Sequence, residues 1–272
     1  MKKRKVIIRI AAALLVFALC GCTAQSVPVS QPEVLSAPVE SIAEESSHQE
    51  KQEVEKGPVI CLDAGHGFDD PGCESEYMIG WEKEITLDIT MLLKQKLEAA
   101  GAEVILTHDG KDFPSKWIIR EYAKEYGVEF ESDRMADNNI FSAYERGIYV
   151  AALHKESPID LFLSLHINSA EDYPQTSRYE FYYFEENRAA DLLWEFGNTV
   201  AAQMDNEMRV LPTEPNDTYY VTKYTDAPAA LFEMGYATNK EDADRLNSAA
   251  WRDRMCDILT EQIMAYFGEK TA

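Results

Sequence analysis

From Pro58 onward, short apolar runs alternate with stretches whose apolar residues recur at helical intervals. Val59-Ile60-Cys61-Leu62 runs into Asp63-Ala64-Gly65-His66-Gly67, the pattern of a short buried strand ended by a small-residue turn. After a loop with Gly, Pro and two Asp, the residues Ile85, Ile89, Leu92, Leu93 and Leu97 form one stripe. That spacing predicts a helix from near Trp81 to a stop at Gly101. Ala102 to Thr107 reads as a second strand, and strand, helix and strand at this spacing form a βαβ unit with a parallel sheet. Helices are predicted over 115–126, ending at Gly127, and over 141–154. Ile159 to Leu165 is almost continuously apolar, as in a central strand buried on both faces, and it leads into His166-Ile167-Asn168. Residues 178–185 alternate aromatics as a fourth strand, and 187–204 has helical spacing. A long loop then precedes a short strand over 227–232, which ends in Glu233-Met234-Gly235. Trp251, Met255, Ile258, Leu259, Ile263 and Phe267 form the stripe of a terminal helix stopped by Gly268. The expected fold is one α/β domain over residues 58–268, with a twisted, mostly parallel sheet flanked by helices on both faces and a tail over 269–272.

The first 57 residues do not continue this pattern. Lys2-Lys3-Arg4-Lys5 precedes an apolar run from Val6 to Leu19 broken only by Arg9, the layout of a secretory signal and too short for a comfortable membrane span. Leu19-Cys20-Gly21-Cys22 resembles a bacterial lipobox, with a leader over 1–21 and Cys22 as the lipidated residue. Acyl chains there would anchor the protein to the membrane from the extracytoplasmic side. An ordinary cleaved signal or an N-terminal anchor helix is the alternative. Residues 23–57 are rich in Ser, Pro, Glu, Gln and Val without an aromatic, so the segment from Cys22 to 57 reads as a disordered tether. Its end-to-end distance is about 30–35 Å by the square-root rule.

Charge and cysteines narrow the partners. The net charge of −22 falls to about −27 without the leader, which argues against nucleic acid and against docking on anionic lipid or wall polymer. Beyond the leader and Cys22 only Cys61, Cys73 and Cys256 remain, which is neither a disulfide framework nor a cysteine-type zinc site. Three buried or free thiols are expected, with a Cys61–Cys73 pair as the alternative.

Three apolar strands thus end in a side chain able to bind metal or move a proton: His66, His166 and Glu233. In a parallel sheet all three would project at one edge, where open α/β sheets place their ligands. Glu82, in the first turn of the first helix, begins at that edge as well. Two His and one carboxylate form a known catalytic zinc set, and a remaining carboxylate would serve as general base. Each residue also has an ordinary reading. Glu82 is favoured at a helix start by the macrodipole. His66 could be a turn residue, and His166 a hydrogen-bonded core residue. Glu233 is harder to dismiss, because a charge ending an apolar strand is costly unless paired.

Four segments carry a resemblance. Asp63-Ala64-Gly65-His66-Gly67, Glu82-Lys83-Glu84-Ile85-Thr86-Leu87, Ser164-Leu165-His166-Ile167-Asn168, and Pro228 to Tyr236 with Asn239 resemble the zinc-dependent N-acetylmuramoyl-L-alanine amidases of the amidase-3 type. The resemblance implies a cell-wall hydrolase that cuts the amide between N-acetylmuramic acid and L-alanine. It implies Zn2+ held by His66, Glu82 and His166, with Glu233 as the catalytic carboxylate. Arg146, in Ser142-Ala143-Tyr144-Glu145-Arg146, stands where the family usually has an arginine on a helix. Asp63, Asn168 and Arg146 are then candidates for orienting the ligands or contacting substrate. Gly65 and Gly67 would leave room for a metal and a bulky glycan. The implied partners are peptidoglycan and the membrane through the lipid anchor, with an unidentified protein activator left open.

The chain departs from the family at Ala64, Thr86 and His108, and only His108 bears on a substrate contact. The segment between His108 and Phe141 is longer than the family needs. It reads as a surface decoration or, from Trp117, Tyr122, Tyr126 and Phe130, as a lid over the groove. Two rival functions stay open: a zinc peptidase acting on stem peptides, and a non-catalytic lipoprotein that binds peptidoglycan.

Overall fold

The computed structural model describes residues 56–184, 199–200, 202–204, 207–213 and 219–271. The predicted leader, Cys22, nearly all of the tether and most of the helix predicted over 187–204 lie outside the described residues.

Six strands form one sheet in the order β2-β1-β3-β6-β4-β5. They are β1 (Val59–Ala64), β2 (Glu103–Leu106), β3 (Leu161–Asn168), β4 (Tyr179–Phe184), β5 (Met208–Thr213) and β6 (Ala229–Tyr236). β2, β1, β3 and β6 are mutually parallel, as the βαβ reading requires. β4 runs antiparallel to β6, and β5 runs parallel to β4. The described helices are α1 (Glu82–Ala99), α2 (Lys116–Tyr126), α3 (Ala143–Glu156), α4 (Tyr220–Lys223), α5 (Lys240–Asn247) and α6 (Ala249–Thr271).

Several boundaries differ from the sequence reading. β3 continues to Asn168 and β6 to Tyr236, so His166 and Glu233 sit within strands rather than after them. Their neighbours across the sheet keep the hydrogen-bond ladder going past the apolar run. β5 occupies a stretch read as loop; its Pro212 weakens a strand pattern but is tolerated in a strand at a sheet edge. α6 passes through Gly268 to Thr271, since one glycine weakens a helix without ending it. α5 was not predicted, although Asn239 caps it by accepting from the amides of Glu241 and Asp242.

Strand alternation divides the core. Ile60, Leu62, Leu163, Leu165 and Phe232 pack against Ile85, Ile89 and Leu93 of α1 and Met255 and Leu259 of α6. On the opposite face Cys61, Phe162 and Leu231 pack with Val150 of α3 and Val221 of α4. Further along the same alternation, toward the carboxyl ends of β1, β3 and β6, that face turns polar at Asp63, Ser164, His166 and Glu233. Cys61 and Cys256 are buried, Cys73 is half-buried, and all three are free thiols.

The long segment after His108 builds a third hydrophobic cluster with α3. Ser115 caps α2, and Gly127 ends it in the left-handed conformation at φ 68°. Ile119 and Ala123 pack with Val128 and Met135 against Tyr144, Ile148 and Ala151 of α3. Lys116 forms a buried ion pair with Glu145 and also donates to the Ile140 carbonyl. A loosely attached decoration would not bury an ion pair. Ile119 is fully buried, so Ile119→Ala is expected to cost about 2–5 kcal/mol. A denaturant midpoint lowered at constant slope would show it; an unchanged midpoint would mean that α2 is not packed on α3.

Candidate metal and catalytic site

The turn after β1 is unusual in its backbone. His66 and Phe68 both have positive φ, at 65° and 57°, although neither is glycine. Such residues cost energy and persist only where the surroundings hold them. Here three cationic or polar groups do so. The Arg146 Nη1 donates to the carbonyls of His66 (3.2 Å) and Phe141 (2.8 Å). Lys83 Nζ donates to the Phe68 carbonyl at 2.7 Å. His108, buried, donates from Nε2 to the Ala64 carbonyl at 2.9 Å.

This turn, together with α1 and β3, brings His66, Glu82 and His166 together: one ligand atom from each lies within 4.8 Å of the others. His66 Nε2 is 3.3 Å from Glu82 Oε2, and His166 Nδ1 is 3.1 Å from Glu82 Oε1. Two ligands about 2.0–2.1 Å from a tetrahedral zinc would stand about 3.3 Å apart, so the spacing fits. The backbone fixes the carboxylate: Cys73 N–H donates to Oε2 at 2.8 Å and Ile167 N–H to Oε1 at 2.9 Å. His66 Nδ1 donates to Asp70 Oδ2 at 2.9 Å, which leaves the Nε2 lone pair facing Glu82. His166 Nε2 is buried and has no hydrogen-bond partner among the described residues. The donors that face one another are His66 Nε2, His166 Nδ1 and the Glu82 carboxylate, a set that fits a cation.

The local electrostatics agree. Burial lowers the proton affinity of His66, but Asp70 and Glu82 more than reverse this, and its pKa is raised to about 9. Burial also opposes the charge of Glu82, yet the hydrogen bonds from His166 and His66 hold its pKa far below the usual carboxylate range. His166 shifts down, chiefly by burial. The shifts of His66 and Glu82 follow from the hydrogen bonds these groups make with each other and with their neighbours, and that of His166 from its burial.

Glu233 faces this set from the neighbouring strand, in register with His166. Its Oε2 is buried without a hydrogen-bond partner among the described residues. Burial, reinforced by Glu82 and Glu180, pushes its pKa well above the ordinary value.

The other candidates have protein partners of their own. Asp63 is fully buried; Thr107 and Ser164 (2.6 Å) donate to it, and Arg146 Nε lies 3.2 Å away as an ion pair without hydrogen-bond alignment. It touches no ligand imidazole and instead ties β1 to β3 and α3. Asp63→Ala would leave the Arg146 charge buried and unpaired, with an expected loss of about 3–5 kcal/mol. Thermal unfolding at matched metal loading would read this, and a loss below 1 kcal/mol would contradict it. Asn168 donates to Glu180 at 2.9 Å rather than to His166. A side chain at Gly65 would meet the His166 ring at 2.6 Å, and one at Gly67 would meet His108 at 3.1 Å, so both glycines make room for imidazoles.

Sequence reading missed two acids. Asp70 orients His66 from four residues away, a His-x-x-x-Asp spacing visible in the chain. Glu180 stands across the ladder from Glu233 and was hidden among the aromatics of β4.

A mostly parallel α/β sheet that carries a buried acid and a cation-ready His/Glu/His set at one edge is the framework of a hydrolase. The chain belongs to the Amidase_3 family of N-acetylmuramoyl-L-alanine amidases, whose profile matches residues 60–265. It is 27% identical over 214 residues to the N-acetylmuramoyl-L-alanine amidase LytC of Bacillus subtilis, covering 78% of this chain but 36% of that protein. It is 24% identical over 214 residues to the germination-specific N-acetylmuramoyl-L-alanine amidase of the same organism, covering 79% of this chain and 81% of that one. Among solved structures, the amidase AmiC2 of Nostoc punctiforme matches with a TM-score of 0.56 at 24% identity, over 77% of this chain and 96% of that one, and shares the fold. Membership makes the chain a hydrolase of the cell-wall amidase class.

Proposed function

We propose that this chain hydrolyses the amide between N-acetylmuramic acid and the L-alanine of the stem peptide, with Zn2+ held by His66, Glu82 and His166 and Glu233 as general base and acid. The observation that carries the reading is the unpaired Glu233 Oε2, buried in register with His166. When bound, zinc would polarise the lactyl carbonyl and lower the pKa of a water toward neutrality.

The chain supplies the remaining parts. Asp70 holds the His66 tautomer, and the amides of Cys73 and Ile167 hold the Glu82 carboxylate. Glu233 takes the proton of the attacking water and returns it to the leaving amine. Its raised proton affinity suits a group that must carry a proton between those two steps. Arg146 acts at one remove, by holding the His66 carbonyl.

The leader pattern and Cys22 support an extracytoplasmic, lipid-anchored location, where peptidoglycan is the partner. Among the described residues no helix is long and apolar enough to cross a membrane.

The test is to incubate the purified, metal-loaded protein with peptidoglycan and identify the new ends. New L-alanine amino termini without new reducing sugars are expected. Other new amino termini would indicate a stem-peptide peptidase, and retention of peptidoglycan without new ends a binding protein; either result would overturn the reading.

A further inference from the structure

Arg178 immediately precedes β4, and its guanidinium is held in place from two sides. Nε donates to Glu180 Oε1 at 2.6 Å, and the group lies over the Tyr236 ring at 5.3 Å from its centroid. Glu180 is itself buried and fixed, because its Oε2 accepts from Asn168 (2.9 Å), Tyr182 (3.2 Å) and Tyr236 (2.6 Å). An arginine tethered through Nε and a ring face has little freedom left in its outer fork. Its hydrogen bond to Glu180 uses Nε, the side chain is 23% exposed, and Glu207 adds a further negative charge nearby.

The position matters as much as the orientation. Glu180 pairs with Glu233 across β4 and β6. By strand alternation Arg178 stands on the same face, one pleat (about 7 Å) further out. Other cations near this edge are committed elsewhere: Lys83 to the Phe68 carbonyl, Arg146 to the interior, and Arg245 to Asp242.

We propose that Arg178 is a specificity-determining residue that binds a carboxylate of the stem peptide through its outer guanidinium edge. The proposal rests on the amidase reading and adds the side of the substrate that is recognised. The glycan at the scissile bond carries no anion, whereas the second stem residue, a γ-linked D-glutamate, bears an α-carboxylate unless it is amidated. That group lies about two bonded residues' reach from the scissile carbonyl, a length of the same order as the one-pleat backbone offset between Arg178 and Glu180. Arginine forks are suited to such planar anions.

The experiment measures the calorimetric Kd of metal-loaded Glu233→Gln protein for N-acetylmuramoyl-L-alanyl-γ-D-glutamyl-L-lysinamide and for its counterpart in which the glutamyl α-carboxylate is amidated. The free carboxylate is expected to bind about 10- to 100-fold more tightly. Arg178→Gln should abolish that preference, and Arg178→Lys should retain part of it. Arg178→Gln/Glu180→Gln removes the unpaired buried carboxylate that could unfold the single variant, and it should show no preference either. Equal affinities in the parent, or a preference that survives both glutamine variants, would overturn the assignment. If wild-type protein still cuts both peptides, that failure belongs to Arg178 alone. If the parent binds neither peptide and the wild type cuts neither, the amidase reading falls with it.

Discussion

Glu233→Gln is expected to lower the turnover of a muramyl-peptide amide by about 10²–10⁴-fold, the usual contribution of a positioned proton carrier. The fold and the bound metal should be unchanged. Glutamine keeps the shape and still fills the space beside His166, but it has no carboxylate to accept a proton. The variant also reports on the buried charge. In the metal-free protein, burial favours the neutral form of Glu233, so its folded-state pKa lies above the unfolded one. Such a group costs stability once the pH exceeds the ordinary carboxylate range. At neutral pH metal-free Glu233→Gln should therefore unfold no more readily than wild type. The advantage should shrink on acidification, where wild-type Glu233 is itself protonated. Activity within tenfold of wild type would remove Glu233 from the chemistry.

Glu82→Gln is expected to abolish both stoichiometric metal binding and activity, a larger loss than any orienting residue would give. The carboxylate is placed by two backbone amides, one on each oxygen. A glutamine can accept from only one of them, and its amide group would face the other N–H, donor against donor. The anionic ligand between the two imidazoles would be lost at the same time. Metal analysis after dialysis should find the variant empty, and wild-type activity removed by a chelator should return on adding Zn2+. A variant that keeps stoichiometric metal, or wild-type activity that survives chelation, would contradict the ligand set.

Much of this site could be read from the chain because its residues follow apolar runs. His66, His166 and Glu233 each follow a run that has no other reason to carry a polar side chain, and parallel pairing brings those runs to one edge. The helix of Glu82 was equally legible from its stripe, and Gly127 marked the end of α2. Other parts were not legible because they depend on pairing partners distant in sequence. Asp63 looked like a ligand-orienting residue, yet its partners are Thr107, Ser164 and Arg146. Asn168 looked like a histidine partner, yet it serves Glu180. Glu180 acquires meaning only when β4 is laid antiparallel to β6, a pairing that no local pattern specifies. The segment carrying α2 invited a lid reading from its aromatics. Ile119 and Ala123 are fully buried against α3, so part of its apolar content belongs to the core, while Trp117 faces solvent.

The proposed attack on the lactyl carbonyl by water activated beside Glu233, at the His66–Glu82–His166 site, is tested most directly by hydrolysing a muramyl tetrapeptide in ¹⁸O-labelled water and weighing both products. One ¹⁸O in the lactyl carboxylate of muramic acid, with none in the peptide, is the expected result. Label in a peptide carboxylate would instead show cleavage of a peptide bond, and unlabelled products would show that water is not the nucleophile.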